Sequence, residues 1–306
     1  MMNRRRFTAL AVSSLACSRA LASPEKLSDP TARALKRSVE RELAALDRAS
    51  HGRLGVAILD TATGARFVHR ADERFLMCST FKLLASAYVL HRVDGGEESL
   101  ERRIGYDAGA LVSWSPVTEK HVSDGMTLGA LCHAAITVSD NAAANLILAS
   151  YGGPRALTAF VRTLGDTVTR ADRSEPELNR HNRPGDLRDT TSPNGMLHSV
   201  QRLALGDALA PASRTQLQQW LLASTTGERR LKAGLPSGWK IGDKTGSGGG
   251  PGVGGTSNDV AVVWPPEGRA PLLVAAYLMD SAAPGEQRDA TLARVGGLLP
   301  AIISAA

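Results

Sequence analysis

Three short motifs follow one another along the chain: Ser79-Thr80-Phe81-Lys82, Ser139-Asp140-Asn141 and Lys244-Thr245-Gly246, with Glu175-Pro176-Glu177-Leu178-Asn179 between the second and third. Serine is a weak nucleophile until a neighbour takes its proton. At i and i+3 on a helix, Ser79 and Lys82 share a face, and a serine at the helix start gains from free N–H groups and the positive end of the helix dipole. Alone this pair carries little weight, because S-x-x-K arises by chance about once in a chain of this length at average composition; its bland meaning is a capping serine and a solvated lysine. Ser139-Asp140-Asn141 reads as an N-cap cluster for a helix beginning near Ala142, or as a hydroxyl that passes a proton to a departing nitrogen beside an amide that grips a substrate amide. Lys244-Thr245-Gly246 closes a strand, where Lys244 and Thr245 suit a carboxylate and Gly246 admits a ligand close to the backbone. Asp243 precedes Lys244, so the phosphate-loop pattern fails, and Gly246 to Gly255 does not join a strand to a helix as a dinucleotide site requires. Glu175 completes the inventory with a carboxylate able to activate water. These are the parts for breaking a strained amide through an acyl-enzyme and then freeing the acid.

The elements that must position these groups follow from periodicity. Leu35, Val39, Leu43 and Leu46 recur at helical spacing over 29–48, behind Ser28-Asp29-Pro30. Residues 53–60 read as a buried strand, 61–64 as a turn and 65–69 as a returning strand. From Ser79 to about Trp220, Ala- and Leu-rich stretches predict helices at 80–92, 127–138, 141–150, 154–164, 196–206 and 213–222. The 172–192 connection has no apolar stripe, and loops that long inside a compact fold are usually functional. Strands return at 239–243, 260–264 and 272–279, and a helix over 286–304 carries Leu292, Val295, Leu299 and Ile302 on one side. Gly246 to Gly255 reads as a flexible hairpin loop. Strands at both ends around a helical middle imply an α+β fold: an antiparallel sheet flanked by helices plus an all-helical domain, with the active site between them. The expected division is an export signal over 1–22, a discontinuous sheet domain from 23–70 and 221–306, and a helical domain over 71–220.

The chain has 306 residues, 43% of them hydrophobic and 22% charged, which suits a globular protein with one sizeable core or two small ones. Arg4, Arg5, Arg6 and Arg19 supply four of its six net positive charges, leaving +2 on the remainder. No Lys/Arg stripe with interleaved aromatics supports nucleic-acid binding. Arg4-Arg5-Arg6-Phe7, the apolar stretch from Thr8 to Ala16, and Ala20-Leu21-Ala22 stand in the order of a twin-arginine-like export signal cut after Ala22, which places the protein in the periplasm. Cys17 as a lipid anchor ranks below cleavage, because the residue three before it is polar. No later run approaches the roughly 20 apolar residues of a membrane span. The seven histidines are scattered without metal-ligand spacing, so no metal and no cofactor are expected. Cys78 and Cys132 are close enough in number to a pair to allow a disulfide, but an even count does not establish one. A monomer is the default, since no exposed apolar heptad is evident.

From about residue 28 to 304 the chain resembles a class A serine β-lactamase, with all four motifs in the family's order and spacing. The resemblance implies hydrolysis of penicillins and cephalosporins. In it Ser79 would be acylated and Lys82 would assist its deprotonation. Glu175 would hold the hydrolytic water with Asn179, and Ser139 would protonate the β-lactam nitrogen. Lys244, Thr245, Gly246 and Ser247 would line the substrate-carboxylate site, and the N–H groups of Ser79 and Ser247 would form an oxyanion hole, a donor of which contributes about 3 kcal/mol. Asn141 would meet a substrate side-chain amide, and Trp114 would form a wall of the pocket, its bland reading being an ordinary packed tryptophan. Arg173 and Asp189 would bridge the neck of the Glu175 loop, and Glu175-Pro176 looks like the family's cis peptide.

The sequence also departs from the family's common pattern. Gly255-Thr-Ser-Asn258 lacks the arginine that many members carry there, and Arg230 falls where a subset has a substitute; we expect it to reach the carboxylate site rather than lie on the surface. Ser86 stands opposite Cys132 and Gly248 opposite Cys78 where relatives have partner cysteines, so two free thiols are expected and carbapenem hydrolysis is not. The 172–192 loop carries one extra residue near 180–184, downstream of Glu175 and Asn179. A penicillin-binding DD-peptidase would share the serine, lysine and Lys-Thr-Gly groups but lack the Glu175–Asn179 water site. A β-lactam sensor would need a membrane span or partner domain for which no residues remain.

Overall fold

A computed structural model describes residues 30–180, 185–250 and 253–304. The expected export signal over 1–22, Cys17, the cut after Ala22 and the extra residue near 180–184 lie outside them or at their edge. The chain opens with helix α1 (Pro30–Ala49), strands β1 (Arg53–Asp60), β2 (Arg66–His69) and β3 (Phe75–Leu76), and helix α2 (Phe81–Asp94). Short strands β4 (Arg103–Ile104) and β5 (Met126–Thr127) pair with each other ahead of α3 (Leu128–Thr137), α4 (Asn141–Ser150) and α5 (Pro154–Thr163). Strand β6 (Thr190–Thr191) pairs with β3, and α6 (Pro193–Val200) and α7 (Pro211–Leu222) follow. The chain closes with β7 (Lys240–Gly250), β8 (Val253–Trp264), β9 (Leu272–Ser281), α8 (Gly285–Gly296) and α9 (Leu299–Ser304).

Strands β2-β1-β9-β8-β7 form one antiparallel sheet in that order, which leaves β7 as an edge. An edge strand presents unpaired backbone groups, and here that edge faces the helical part of the molecule. One face of the sheet packs on α1, α8 and α9 through Leu43, Val56, Ile58, Val274, Leu292 and Val295. The other face joins the core around α2, through Phe75, Tyr277, Leu84, Ile147 and Leu217. Strands β1 and β9 are nearly continuous apolar runs because both faces are covered there.

Four expectations change. Gly246 to Gly255 is not a loop: the β7–β8 ladder runs through it as far as Gly250 opposite Val253, with a register irregularity between Gly248 and Gly250. Glycine content masked the strand pattern, since glycine has no side chain to alternate. Lys244-Thr245-Gly246 therefore sits inside β7, paired with Val260, Asp259 and Asn258, rather than at a strand end. The helix expected over 286–304 breaks between α8 and α9 at Gly297-Leu298, and the one expected over 196–206 widens into a π-turn over Gln201–Leu205 that ends at Gly206.

Candidate active site

Ser79 lies in the tight turn Cys78–Thr80 that leads into α2. Two residues pin this turn to the sheet. The Asn258 amide on β8 donates to Leu76 O (2.8 Å) and Met77 O (3.1 Å). Gly246 provides the second contact: a Cβ there would lie 2.7 Å from Met77 O and 3.2 Å from the Cys78 Cβ. The absent side chain thus lets β7 close on the nucleophile turn, a structural reason for Gly246 beside the ligand approach expected of it.

Lys82 is fully buried on α2 one turn later. Its ammonium lies 2.5 Å from Asn141 Oδ1, 2.9 Å from Ser139 O, 3.3 Å from Ser139 Oγ and 3.1 Å from Glu175 Oε1. An ammonium has three N–H donors, so four acceptors compete for them. Burial pushes the Lys82 pKa down, against the opposing pull of Glu175. Ser79 Oγ donates to Glu175 Oε1 at 3.3 Å, so one carboxylate oxygen touches both the nucleophile and the lysine.

The second motif is built by its aspartate. Buried Asp140 caps α4 by accepting from Ala143 N (2.8 Å), and also accepts from Val117 N and Thr118 N (3.0 Å each) and Thr118 Oγ1 (2.9 Å). The capping role considered for this segment belongs to Asp140, which frees Ser139 to adopt φ 63°. Ser139 Oγ then lies between two lysines, 3.3 Å from Lys82 Nζ and 3.1 Å from Lys244 Nζ. Asn141 accepts from Lys82 and donates to Ser113 O at 2.7 Å, which leaves one N–H of its amide for a substrate. Trp114 is 65% exposed; its indole N–H donates to Val138 O (2.9 Å) and its carbonyl accepts from Asn141 N (2.9 Å). It is not an ordinary packed tryptophan.

Glu175 is 2% exposed. Its second oxygen accepts from Asn179 Nδ2 at 2.5 Å, while Asn179 Oδ1 is buried with no protein partner. The loop neck holds as expected: Arg173 Nε meets Asp189 Oδ2 at 2.5 Å, Asp189 Oδ1 accepts from the N–H groups of Asp172 and Arg173, and Glu175-Pro176 is cis. Sequence reasoning missed Asn145. Its Oδ1 accepts from Glu175 N (2.9 Å) and its Nδ2 donates to Glu175 O (3.0 Å), so one amide clamps the backbone of the glutamate. The available signal was its place one helical turn after Asn141.

On β7, Lys244 is fully buried, donating to Ser139 Oγ and to Thr245 O (2.9 Å). Thr245 Oγ1 lies 2.6 Å from Thr226 Oγ1. Arg230, 8% exposed, bonds to Gly246 O (2.8 Å), Asn258 O (2.7 Å) and Ser247 Oγ (2.6 Å), and pairs with Asp289 (2.9 Å). It is a buried group behind the strand, not a surface arginine. Arg288 was also missed: it covers Gly255, where a Cβ would meet its guanidinium at 2.1 Å, and its Nε lies 3.3 Å from Ser257 Oγ. The stretch without an arginine is thus served from α8. Cys78 and Cys132 are both free and buried; burial raises the Cys132 thiol to about 12 and the Cys78 thiol further. Of the eight non-glycine residues with positive φ among the described residues, Cys78, Trp114, Ser139 and Asp189 flank this site, where local strain collects in functional centres.

The arrangement is that of a serine hydrolase built where a sheet edge meets a helical layer, with two lysines and a glutamate around one hydroxyl. A family model described as the β-lactamase enzyme family matches residues 38–302. The chain is 45% identical to β-lactamase L2 of Stenotrophomonas maltophilia, over 99% of this chain and 100% of that one. It is 47% identical to β-lactamase CTX-M-8 of Citrobacter amalonaticus, over 83% of this chain and 86% of the relative. An ancestral (GNCA) class A β-lactamase structure superposes with a TM-score of 0.83 at 59% identity, covering 86% of this chain and 99% of that one. The chain belongs to the class A β-lactamases and is a hydrolase with β-lactamase function. Among the described residues no helix is long and apolar enough to cross a membrane, and no cluster of His, Cys, Asp and Glu could hold a metal ion.

Proposed function

We propose that the enzyme opens penicillins and cephalosporins through an acyl-enzyme on Ser79 and frees the product with water held by Glu175 and Asn179. The observation that carries this reading is the pairing of two acceptors: Glu175, in contact with Ser79 Oγ, and the unpartnered, buried Asn179 Oδ1 beside it. Water has two O–H groups to give, and this is the feature a transpeptidase or a covalent sensor lacks.

In the acylation step the Ser79 proton passes to Glu175 as Oγ attacks the lactam carbonyl, whose oxygen receives the N–H groups of Ser79 and Ser247. The 3.3 Å Ser79–Glu175 contact favours this direct route, with Lys82 as the neighbouring proton carrier. Ser139, set between two ammonium groups, gives its proton to the departing nitrogen and recovers one from Lys82. Glu175 passes the Ser79 proton on to Lys82, which has given one to Ser139, and so becomes a carboxylate again; it then takes a proton from water as the water oxygen attacks the ester, and returns it to Ser79 Oγ as the acid leaves. Lys244, Thr245 and Ser247 hold the substrate carboxylate. Arg230 supports it through the Ser247 hydroxyl rather than by open contact. The free N–H of Asn141 meets the substrate side-chain amide and Trp114 closes one side. We further propose export to the periplasm by the twin-arginine-like segment, action as a monomer, and the division into 23–70 plus 221–306 against 71–220.

Stopped-flow mixing with a chromogenic cephalosporin tests the mechanism. The native enzyme should turn over many equivalents, and Glu175→Gln should give a burst of one equivalent with a stable adduct by mass spectrometry. A single unrecovered burst from the native enzyme, or sustained turnover by the variant, would refute it. Arg230→Ala should raise KM for carboxylate-bearing substrates, and unchanged KM and kcat would remove it from the site.

A further inference from the structure

Between α7 and β7 the chain crosses from the helical layer to the sheet, and it is fastened on both sides of the site. Thr225 donates twice to Thr137 O at the end of α3, through its N–H (3.0 Å) and through its hydroxyl (3.1 Å). Thr137 stands two residues before Ser139. The next residue meets the other wall: Thr226 Oγ1 lies 2.6 Å from Thr245 Oγ1 on β7. Gly227 then packs on the same strand, where a Cβ would fall 1.5 Å from Asp243 Oδ2. Thr226 is therefore held between two anchors, and its short contact with Thr245 is set by the fold.

Thr245 is buried, and among the described residues its hydroxyl has no hydrogen-bond partner other than Thr226. A threonine hydroxyl has one proton to give and two lone pairs, so the pair can be ordered in two ways. With Thr245 as donor, its proton points at Thr226 and its lone pairs face the substrate-carboxylate site, where they repel an anion. With Thr226 as donor, one lone pair of Thr245 is filled and the Thr245 proton is left for the carboxylate. The rival acceptor for the Thr226 proton is Ser224 Oγ at 3.4 Å, a longer and weaker contact than the one to Thr245. A negative charge in the site favours the second order, because both protons then point toward it and each hydrogen bond polarises the next.

We propose that Thr226 is a positioning residue for the substrate carboxylate: its hydroxyl donates to Thr245 Oγ1, so that Thr245 presents its own proton to the carboxylate. Thr225, tied to the end of α3, keeps Thr226 at that distance from β7. The proposal rests on the role given to Thr245 above and adds the residue that acts through it.

Paired substrates test this. A penicillin and its methyl ester share the ring system, but only the acid carries the anion. Thr226→Val keeps the side-chain shape and removes the hydroxyl, whereas Thr226→Ser keeps the hydroxyl. The worth of one neutral hydrogen bond sets the scale: in Thr226→Val, kcat/KM for the acid should fall about three- to tenfold, chiefly through KM, and for the ester by less than about twofold. Thr226→Ser should restore the acid to within about twofold of the native enzyme. Thr226→Ala, which cannot crowd the strand, is the second variant and should show the same split between acid and ester. In a Thr245→Val background, Thr226→Val should cost nothing more, because the two hydroxyls act as one unit. An unchanged kcat/KM for the acid, an equal loss for acid and ester, or a full additional loss in the double variant would overturn the proposal. Thr245→Val separates the two readings. If it leaves the acid unaffected, the carboxylate role of Thr245 falls and takes this inference with it; if it impairs the acid while Thr226→Val does not, the inference alone falls.

Discussion

Asn145→Ala tests whether the clamp on the Glu175 backbone is catalytic in consequence or merely structural. The substitution removes an acceptor 2.9 Å from Glu175 N and a donor 3.0 Å from Glu175 O, and leaves both backbone groups at a residue that is 2% exposed. A buried polar group stripped of its partner costs about 1–3 kcal/mol, so two together cost roughly 2–4 kcal/mol after partial relaxation. The Arg173–Asp189 neck is untouched, so the loop should stay attached while its tip loosens. At 1.36 kcal/mol per factor of ten, the occupancy of the productive Glu175 position falls between about thirty- and several hundred-fold. Acylation has Lys82 as a second proton carrier, but water activation has only Glu175 and Asn179. The acyl-enzyme should therefore accumulate. Steady-state kinetics with a chromogenic cephalosporin, intact-mass analysis of the quenched reaction and thermal unfolding read the three consequences. We expect kcat to fall at least tenfold, a covalent adduct in the steady state, and a Tm lower by roughly 5–10 °C. A lowered Tm with kcat within threefold and no adduct would refute the reasoning. Asn145→Asp provides a control, because it keeps the acceptor for Glu175 N but sets a carboxylate against Glu175 O.

Two further predictions concern packing and charge. A Cβ at Gly248 would lie 2.7 Å from Cys78 Sγ and 3.1 Å from Asn179 O. Gly248→Ala should therefore slow deacylation several-fold, and Cys78→Ala should partly restore it in the double variant; equal rates for Gly248→Ala and native enzyme would show that the hairpin yields instead. Asp60, buried and paired with Arg269 at 2.9 Å, titrates below its ordinary 3.8, where burial is outweighed by hydrogen bonds from Arg269, Thr63 and Ala62. A carboxylate with a depressed pKa stabilises the fold above 3.8 and loses that stabilisation as pH falls through its folded value. Asp60→Asn should thus lower Tm at pH 7, with the deficit shrinking below about pH 4 in a pH series of thermal melts. A deficit that is constant with pH would remove the charge from the explanation.

The motifs, their order and most of the elements around them were determined by the sequence alone. Helical spacing in α1 and the apolar runs of β1 and β9 are local patterns, so periodicity reads them. So is the Ser79–Lys82 offset, and the Glu175–Asn179 offset follows the same logic within its loop. The extension of the β7–β8 ladder through Gly246 to Gly250 escaped because glycines carry no side chain to alternate, and a strand of this kind is stabilised by its partner. Tertiary structure decided the rest. Arg230 meets Asp289 across 59 residues of sequence, and Asn145 meets Glu175 across 30. No local pattern announces such partners; they become neighbours only when the sheet edge closes on the helical layer. The same closure gave Gly246 its reason, a backbone approach to the nucleophile turn, while the β7–β8 register set Asp243 and Asp259 on one face of the sheet. In sequence those aspartates were a neighbour of one motif and an unremarked strand residue. Burial and strand register, which only the fold supplies, are what make them buried neighbours.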